Sequence, residues 1–173
     1  MIEPTRIVVL MGVSGTGKTT IGHLLAQRLG WDFRDGDEFH SAGNIQKMKS
    51  GHPLSDGDRM PWLDSIRDWI SGRLADNAPA VVTCSALKES YRRRLCLKRA
   101  GVRSIFLSGE YGLISERLAD RNGHFMPASL LQSQFDILEE PSETVTIDIR
   151  TPPAQIVAQI LSVLGDIAPA KAS

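Results

Sequence analysis

Residues 12–19 read Gly-Val-Ser-Gly-Thr-Gly-Lys-Thr and directly follow the apolar run Arg6–Met11. The spacing Gly-x4-Gly-Lys-Thr is typical of a loop whose backbone N–H groups cradle phosphate oxygens. The glycines permit its tight bends, and a helix predicted from Gly17 to Leu29 points its positive end at the same anion. A chance match in a glycine-rich turn is the alternative, but such a match would not also follow a strand and open a helix. The stretch therefore predicts a nucleotide-phosphate site.

Two side chains of this loop add chemistry of their own. Lys18 supplies a mobile positive charge for the β- and γ-phosphates, and the Thr19 hydroxyl is a ligand for Mg2+. The loop therefore predicts ATP and Mg2+ as cofactors, with Lys18 also catalytic. The residues assigned to ATP in the loop are Gly12, Val13, Ser14, Gly15, Thr16, Gly17, Lys18 and Thr19.

Short apolar runs alternate with helical patterns along the rest of the chain. This order predicts a parallel α/β sheet with right-handed crossovers. With 173 residues, we expect a single domain over residues 1–167 and a frayed tail over 168–173. The strands are predicted at 6–11, 31–35, 80–84, 102–107 and 144–149, and later helices at 38–50, 88–99, 111–121 and 153–164. A further helix is predicted after an N-cap at Asp58, with Pro61 in its first turn.

Composition excludes several classes of protein. Lys plus Arg and Asp plus Glu are 20 each, and this neutral balance argues against a dedicated nucleic-acid binder. No apolar run approaches the roughly 20 residues that span a bilayer. Because the N-terminus runs straight into the phosphate loop, we expect no cleaved signal peptide and a cytoplasmic protein. Cys84 and Cys96 are too few for a disulfide framework and are interpreted as buried thiols.

Two absent motifs narrow the kind of phosphate-loop protein. The sequence has no Asn-Lys-x-Asp motif, which a GTPase uses to bind guanine. The third predicted strand runs into Ser85, Ala86 and Leu87, whereas a large ATPase would have an acidic metal ligand there. A carboxylate for the metal must therefore come from elsewhere in the chain.

Asp35 and Asp37 are the acidic pair at the end of a predicted strand near the loop. Ligands of α/β sheets bind at the carboxyl ends of strands. One carboxylate can hold Mg2+ while the other accepts a hydroxyl proton, and we assign Asp35 to the metal and Asp37 to catalysis. The alternative is that Asp37 only caps the following helix.

Arg117 and Arg121 are four residues apart and share one helical face. Arg121 precedes Asn122-Gly123-His124, so residues 117–128 are interpreted as a lid that excludes water and neutralises charge. A solvated face with ion pairs to Glu116 or Asp120 is equally compatible with position alone.

Further segments resemble the gluconokinase family from about residue 6 to residue 165. The resemblance is carried by residues 35–40 and 44–48, by Gly51-x-Pro53-Leu54-x-Asp56-x-Asp58-Arg59-x-Pro61-Trp62-Leu63, by Cys84-Ser85-Ala86-Leu87-Lys88-x-x-Tyr91-Arg92, by residues 117–125, and by Gln134-Phe135-x-x-Leu138-Glu139-x-Pro141.

This resemblance implies phosphorylation of D-gluconate on its 6-hydroxyl to give 6-phosphogluconate. It also implies a five-stranded sheet in the order 2-3-1-4-5, as in nucleoside-monophosphate and shikimate kinases, and a homodimer. It favours the lid interpretation, with Arg117 against adenine and Arg121 at the transferring phosphate.

A small polyhydroxy acid needs cations for its carboxylate and polar groups for its hydroxyls. Arg59, Lys88 and Arg92 are the candidate cations, although Arg92 opens an arginine run that is typical of a solvated face. His40 and Asn44 are candidates for the hydroxyls, with a structural His40 as the alternative. The predicted substrate-binding residues are Asp37, His40, Asn44, Arg59, Lys88 and Arg92, in a segment of about 36–62 and in the helix from residue 88.

Two other functions stay open on sequence grounds. A kinase of the same fold could act on shikimate or a nucleoside monophosphate, although a nucleotide substrate would want more arginines. A regulatory nucleotide-binding protein would keep residues 12–19 but lose Asp37 and the arginines of the lid, and this sequence keeps them all.

Overall fold

The computed structural model describes residues 3–121 and 127–170 of the chain. Its centre is one five-stranded parallel sheet in the order β2-β3-β1-β4-β5, which confirms the predicted fold and strand order. The strands are β1 (Ile7–Met11), β2 (Asp32–Arg34), β3 (Ala80–Thr83), β4 (Val102–Ser108) and β5 (Val145–Asp148).

Helices cover both faces of this sheet, which explains why β1 is apolar at every position. All five β1 residues are buried, and Ile7 lies opposite Ala80 of β3 and Val102 of β4. The helices are α1 (Lys18–Leu29), α2 (Ala42–Lys49), α3 (Asp56–Ala75), α4 (Glu89–Arg94), α5 (Tyr111–Ala119), α6 (Ala128–Ile137) and α7 (Pro153–Val163), with a 3-10 helix at Gly36–Phe39.

Helix α1 begins where the phosphate loop ends. Gly17 precedes it with φ 91°, and Gly30 ends it with φ 68° while its N–H bonds the carbonyls of Ala26 and Gln27. Both glycines adopt a left-handed conformation that other residues rarely take. The predicted boundaries of this helix are therefore confirmed to within a residue. The N-terminus of the helix directly follows the phosphate loop.

Helix α3 begins three residues earlier than predicted. Ser55 is its N-cap, and Asp58, which we expected to be the cap, completes a capping box with it. Pro61 consequently lies in the second turn rather than the first. The reciprocal Ser55–Asp58 bonds satisfy two backbone N–H groups, which a cap by Asp58 alone would not do.

Two predictions in the second half of the chain are wrong. The helix expected over 88–99 ends at Arg94, because the chain reverses through Cys96 with φ 56°. Cys84 is buried as expected, but Cys96 is exposed. Helix α6 was not predicted, since its residues Leu130 and Leu131 alone carry its buried face.

The start of the predicted frayed tail is anchored to the body of the protein. Ala168 is buried, and its N–H donates to the carbonyl of Thr5 at 2.8 Å. The contact extends a short bridge between Thr5 and Ile167. Within the described ranges, no helix is both long enough and apolar enough to span a bilayer.

Candidate active site

The phosphate loop lies at the carboxyl end of β1 and is held by its own polar groups. The Thr16 hydroxyl donates to the carbonyl of Val13 at 3.0 Å. The Lys18 ammonium folds back and donates to the carbonyls of Gly12 and Val13, each at 2.9 Å. The lysine therefore lies over the loop, close to the groups that would receive a phosphate.

The charges around Lys18 come from three predicted site residues. Burial lowers the pKa of Lys18, the carboxylates of Asp37 and Asp35 oppose that shift, and the charge of Arg121 adds to it. Asp37, Asp35 and Arg121 therefore all lie within electrostatic reach of Lys18. Lys18 thus lies near Asp37 and Arg121, the other two residues that the sequence predicts to be catalytic.

Asp35 is tied to the loop by its side chain. The Thr19 hydroxyl donates to Oδ2 of Asp35 at 2.6 Å, and Oδ1 accepts the N–H of Asp37 at 2.9 Å and the Thr83 hydroxyl at 3.1 Å. Burial alone would raise the pKa of Asp35, but these hydrogen bonds and the charge of Lys18 outweigh it and lower the pKa. Asp35 is consequently an ionised carboxylate beside Thr19, as a metal ligand must be.

Asp37 differs from Asp35 because its carboxylate accepts no hydrogen bond from the described residues. Its side chain is accessible to solvent, but the protein that surrounds it raises its pKa; Lys18 lowers the pKa and Asp35 raises it further. The cap of the 3-10 helix is supplied by Asp35 rather than by Asp37. The capping alternative for Asp37 therefore does not apply, and its carboxylate is available to a ligand.

The turn that carries both aspartates packs directly against β3. A side chain on Gly36 would place its Cβ 1.9 Å from the Thr83 carbonyl oxygen, so only glycine fits there. The Gly36 N–H donates to the Thr83 hydroxyl at 2.9 Å, and the Trp62 indole donates to the Gly36 carbonyl at 2.8 Å. These contacts fix the backbone between Asp35 and Asp37.

His40 and Asn44, both predicted to contact substrate hydroxyls, also contact each other. The Asn44 amide nitrogen donates to the Asp58 carbonyl at 2.9 Å and lies 3.3 Å from Nδ1 of His40. Since that nitrogen can only donate, Nδ1 must accept, and a neutral His40 carries its proton on Nε2. Burial, together with the charge of Arg59, lowers the pKa of His40 to about 4. Nε2–H of a neutral imidazole is therefore the donor that His40 can offer.

The imidazole of His40 is also held in place by stacking. Its ring lies 4.3 Å from that of Trp62 with an interplanar angle of 12°. Stacking and the Asn44 contact leave His40 little freedom to rotate, so the structural and the substrate-binding interpretations are compatible for this residue.

Arg59 of α3 and Lys88, which precedes α4, both contact a hydrogen-bonded pair formed by Asp56 and Tyr91. The Lys88 ammonium donates to both Asp56 oxygens, at 3.1 and 3.3 Å, and the Tyr91 hydroxyl donates to the same carboxylate. Arg59 uses Nη1 for the Leu54 carbonyl at 2.6 Å and the Tyr91 hydroxyl at 3.3 Å. Its Nε and Nη2 make no hydrogen bond to any described residue, so this edge of the guanidinium can accept a carboxylate.

Arg92 does not join these cations, which corrects its prediction as a substrate ligand. It is 7% exposed, and its guanidinium donates to the Ala86 and Glu139 carbonyls, each at 2.8 Å, and to Glu89 at 3.1 Å. Lys88 and Arg92 have different partners: Lys88, the N-cap of α4, bonds Asp56, whereas Arg92 within the helix bonds Ala86 and Glu139. Arg92 therefore links two loops of the protein.

Arg117 extends from α5 to the end of β5. Its Nη2 donates to the Ile149 carbonyl at 2.7 Å, at the carboxyl edge of the sheet. Arg121 is exposed and acts on Lys18 through its charge. The predicted lid over 117–128 includes residues 122–126, which lie outside the described part of the chain.

A cavity of about 630 Å3 lies elsewhere, between the end of α4 and the segment 139–144. Arg92 is the one predicted site residue in its lining, and surface ion pairs such as Lys98–Glu143 cross its rim. It lies away from the phosphate loop, so we do not assign the chemistry to it.

A magnesium site fits the donors at the loop. Among the described residues, no group of three or more His, Cys, Asp or Glu could enclose a metal on its own. Mg2+ instead commonly takes one or two protein oxygens and completes its shell with water and substrate phosphates. Thr19 and Asp35 provide that kind of donor pair beside the loop.

Several residues of the site had no role assigned from the sequence. Thr83 orients Asp35, Tyr91 and Asp56 contact the cations, and Gln134 bonds Ser14 of the loop. Asp56, Tyr91 and Gln134 lie in the motifs that carry the family resemblance. Their place in these motifs was the one sequence feature that could have identified them as site residues. It did not show which partner each side chain would contact.

The fold and the loop together define a P-loop kinase. A family model described as shikimate kinase matches residues 14–164, which is most of the chain. A sugar kinase from Janibacter sp. HTCC2649, solved without ligand, superposes with a TM-score of 0.89 at 47% identity and covers 98% of this chain and 99% of its own.

The most informative relatives narrow this class. A gluconokinase from Gluconobacter oxydans 621H is 48% identical over 138 residues, which are 80% of this chain and 78% of that protein. A gluconokinase from Sinorhizobium meliloti 1021 superposes with a TM-score of 0.83 at 45% identity, covering 95% of this chain and 93% of its own. The chain belongs to the gluconokinase family.

Proposed function

We propose that this protein transfers the γ-phosphoryl group of ATP to the 6-hydroxyl of D-gluconate, giving 6-phospho-D-gluconate and ADP. The observation that carries the proposal is the position of Asp37. Its carboxylate accepts no hydrogen bond from the described residues and interacts electrostatically with Lys18, whose ammonium lies over the phosphate loop. A hydroxyl held by Asp37 would thus face the terminal phosphate.

The proposed chemistry assigns one step to each group. Asp37 orients the 6-hydroxyl and accepts its proton as the new O–P bond forms and the bond between the γ-phosphorus and the β–γ bridging oxygen breaks. Lys18 and Arg121 stabilise the negative charge on the transferring group, and Arg117 lies beside the adenine. Thr19 and Asp35 would hold Mg2+, which would supply positive charge to the phosphates.

The acceptor side is proposed to bind gluconate through groups of known orientation. The unused edge of Arg59 takes the carboxylate, with Lys88 nearby, and Nε2–H of His40 together with the Asn44 amide oxygen contacts hydroxyls. This set suits a polyhydroxy acid because it combines cations with neutral donors and acceptors. We also propose that the protein is cytoplasmic and forms a homodimer. Sedimentation of the purified protein would test the dimer.

The decisive experiment is an ADP-release assay with Mg2+, ATP and a panel of acceptors. D-Gluconate should be turned over, while shikimate, AMP and buffer without acceptor should not. Lys18→Ala should abolish the signal, and Lys49→Ala, an exposed lysine on α2, should leave it intact. Comparable turnover with shikimate would overturn the substrate assignment. Turnover by folded Lys18→Ala would reveal a contaminating kinase or a wrong site.

A further inference from the structure

Gln134 makes a two-point contact with the phosphate loop from 120 residues away in the chain. Its Oε1 accepts the N–H of Ser14 at 2.8 Å, and its Nε2 donates to the Ser14 hydroxyl at 3.0 Å. A backbone N–H can only donate, so the orientation of the glutamine amide is fixed by chemistry. The amide oxygen and the amide nitrogen of Gln134 thus hold the backbone N–H and the hydroxyl of Ser14.

Ser14 occupies the part of the loop that needs external support. It lies between Gly12 with φ 139° and Gly15 with φ 85°, and glycines lose the most conformational freedom when a loop becomes ordered. The internal bonds of the loop reach Gly12 and Val13 but leave the Ser14 peptide to Gln134. Ordering this peptide before ATP binds reduces the entropy that binding must otherwise overcome.

Gly15, the next residue of the loop, packs closely against apolar side chains of α5. A Cβ on Gly15 would lie 2.9 Å from side-chain carbons of Ile114 and Leu118 in α5. The phosphate loop is therefore contacted by α5 at Gly15 and by α6 at Ser14. The α6 contact is polar and is made by Gln134.

Gln134 can act as a fixed support because the end of its helix is anchored. The Glu139 N–H donates to the Leu87 carbonyl, and the Glu139 carbonyl accepts from Arg92, each at 2.8 Å. The Glu139 carboxylate accepts the N–H of Glu89 at 2.8 Å. These bonds tie the segment that follows α6 to Leu87 and to α4. They give Arg92 a structural role in place of the predicted one.

We propose that Gln134 is a positioning residue for nucleotide binding, which acts by holding Ser14 and thereby the phosphate loop in its binding conformation. The proposal rests on the use of ATP in the proposed function, but not on the identity of the acceptor. It implies that the Ser14 N–H is engaged by Gln134 and that the phosphates bind the N–H groups that follow it. It also predicts an effect on the nucleotide side of the reaction alone.

The test measures the affinity of the whole protein for the Mg2+ complex of a β,γ-imido ATP analogue by calorimetry. Gln134→Met, which keeps the size of the side chain and removes both bonds, should raise Kd by about 5- to 30-fold, as expected for one to two hydrogen bonds. Gln134→Asn, which is too short to bridge both groups, should act in the same direction. Gln132→Met is the matched control, because Gln132 lies exposed on the same helix and bonds Asp136 but no other residue of the described ranges.

A double-mutant cycle with Ser14→Ala separates positioning from a general loss of stability. If Gln134 acts through Ser14, the cost of Ser14→Ala on Kd should shrink in the Gln134→Met background, and KM for gluconate should change less than twofold. A Kd within twofold of wild type in both Gln134 variants, or strictly additive effects in the cycle, would overturn the proposal. Failure of wild-type protein to phosphorylate gluconate would sink the proposed acceptor but leave this binding result valid.

Discussion

The Thr19 hydroxyl donates to Oδ2 of Asp35 at 2.6 Å and thereby connects the first turn of α1 to the end of β2. The neighbouring carboxylate, Asp37, has no such bond to the described residues. Two aspartates two residues apart therefore differ in environment: the Asp35 carboxylate is held by the hydroxyl that we predict to bind the metal, and the Asp37 carboxylate is available to a substrate. This difference divides the predicted roles.

Asp35→Asn should weaken the dependence of activity on Mg2+, because the variant loses a charged oxygen beside Thr19. We expect the Mg2+ concentration for half-maximal activity to rise about tenfold or more, as for loss of one charge-assisted contact. Titration of Mg2+ at saturating ATP and gluconate measures this shift. If excess Mg2+ restores Asp37→Asn but not Asp35→Asn, the two roles are reversed.

Asp37→Asn should lower kcat by about 10^2- to 10^4-fold, as for loss of a general base, with little change in ATP affinity. The control is Glu38→Gln, an exposed neighbour that pairs with Arg34 at the surface. Normal turnover by Asp37→Asn would exclude Asp37 as the base.

The pH profile tests the same assignment. Partial desolvation by the surrounding protein raises the pKa of Asp37, Lys18 lowers it, and the charge of Asp35 raises it further. Because a base works only when deprotonated, kcat/KM for gluconate should fall as the pH is lowered. The midpoint of this acid limb should lie above the ordinary pKa of aspartate. Asp35→Asn removes one cause of the raised pKa, so its acid limb should move to lower pH. An acid limb that moves upward in that variant would contradict this assignment.

Arg59→Ala should raise KM for gluconate more than KM for ATP. Loss of a charge-assisted hydrogen bond costs roughly 1.5–3 kcal/mol, which is about a 10- to 150-fold change. Lys88→Ala should have a smaller effect, because Lys88 already pairs with Asp56. Arg93→Ala, whose side chain is 79% exposed on the same helix as Tyr91, is the control. A change confined to KM for ATP would show that Arg59 lies on the ATP side of the site and not on the gluconate side.

Arg121→Ala should lower kcat by about 10^3-fold or more, as for other arginines that neutralise a transferring phosphate. The structural basis is its electrostatic interaction with Lys18. Arg103→Ala, an exposed arginine of β4, controls for the loss of a surface charge. Single-turnover kinetics should show the loss in the chemical step, and an unchanged kcat would remove Arg121 from the catalytic set.

The His40 imidazole should make the stability of the protein depend on pH. Burial and the charge of Arg59 lower its pKa to about 4, below the value of 6.5 for a free histidine. The unfolded chain therefore binds more protons between these values, and the free energy of unfolding should fall as pH falls from 6.5 to about 4. His40→Gln should flatten this slope, whereas exposed His52→Gln should not. Denaturant unfolding at several pH values measures both.

The sequence by itself determined the features that depend on neighbouring residues. Gly12, Gly17, Lys18 and Thr19 specify the phosphate loop by their spacing, and Gly30 ends α1, because backbone conformation at glycine is a local property. Continuous apolar runs such as Ile7–Met11 required burial on both faces and hence a parallel sheet. The acidic pair after β2 was found because strand ends in such a sheet meet at one edge.

Only the tertiary structure decided which partner each polar side chain bonds. Asp35 contacts Thr83, 48 residues away, and Gln134 contacts Ser14, 120 residues away. Arg92 looked like a substrate ligand or a solvated residue, yet the carbonyls of Ala86 and Glu139 enclose it. Motif positions mark such residues as important. Their roles follow from hydrogen bonds between distant segments, which form only once the sheet and its covering helices have brought those segments together.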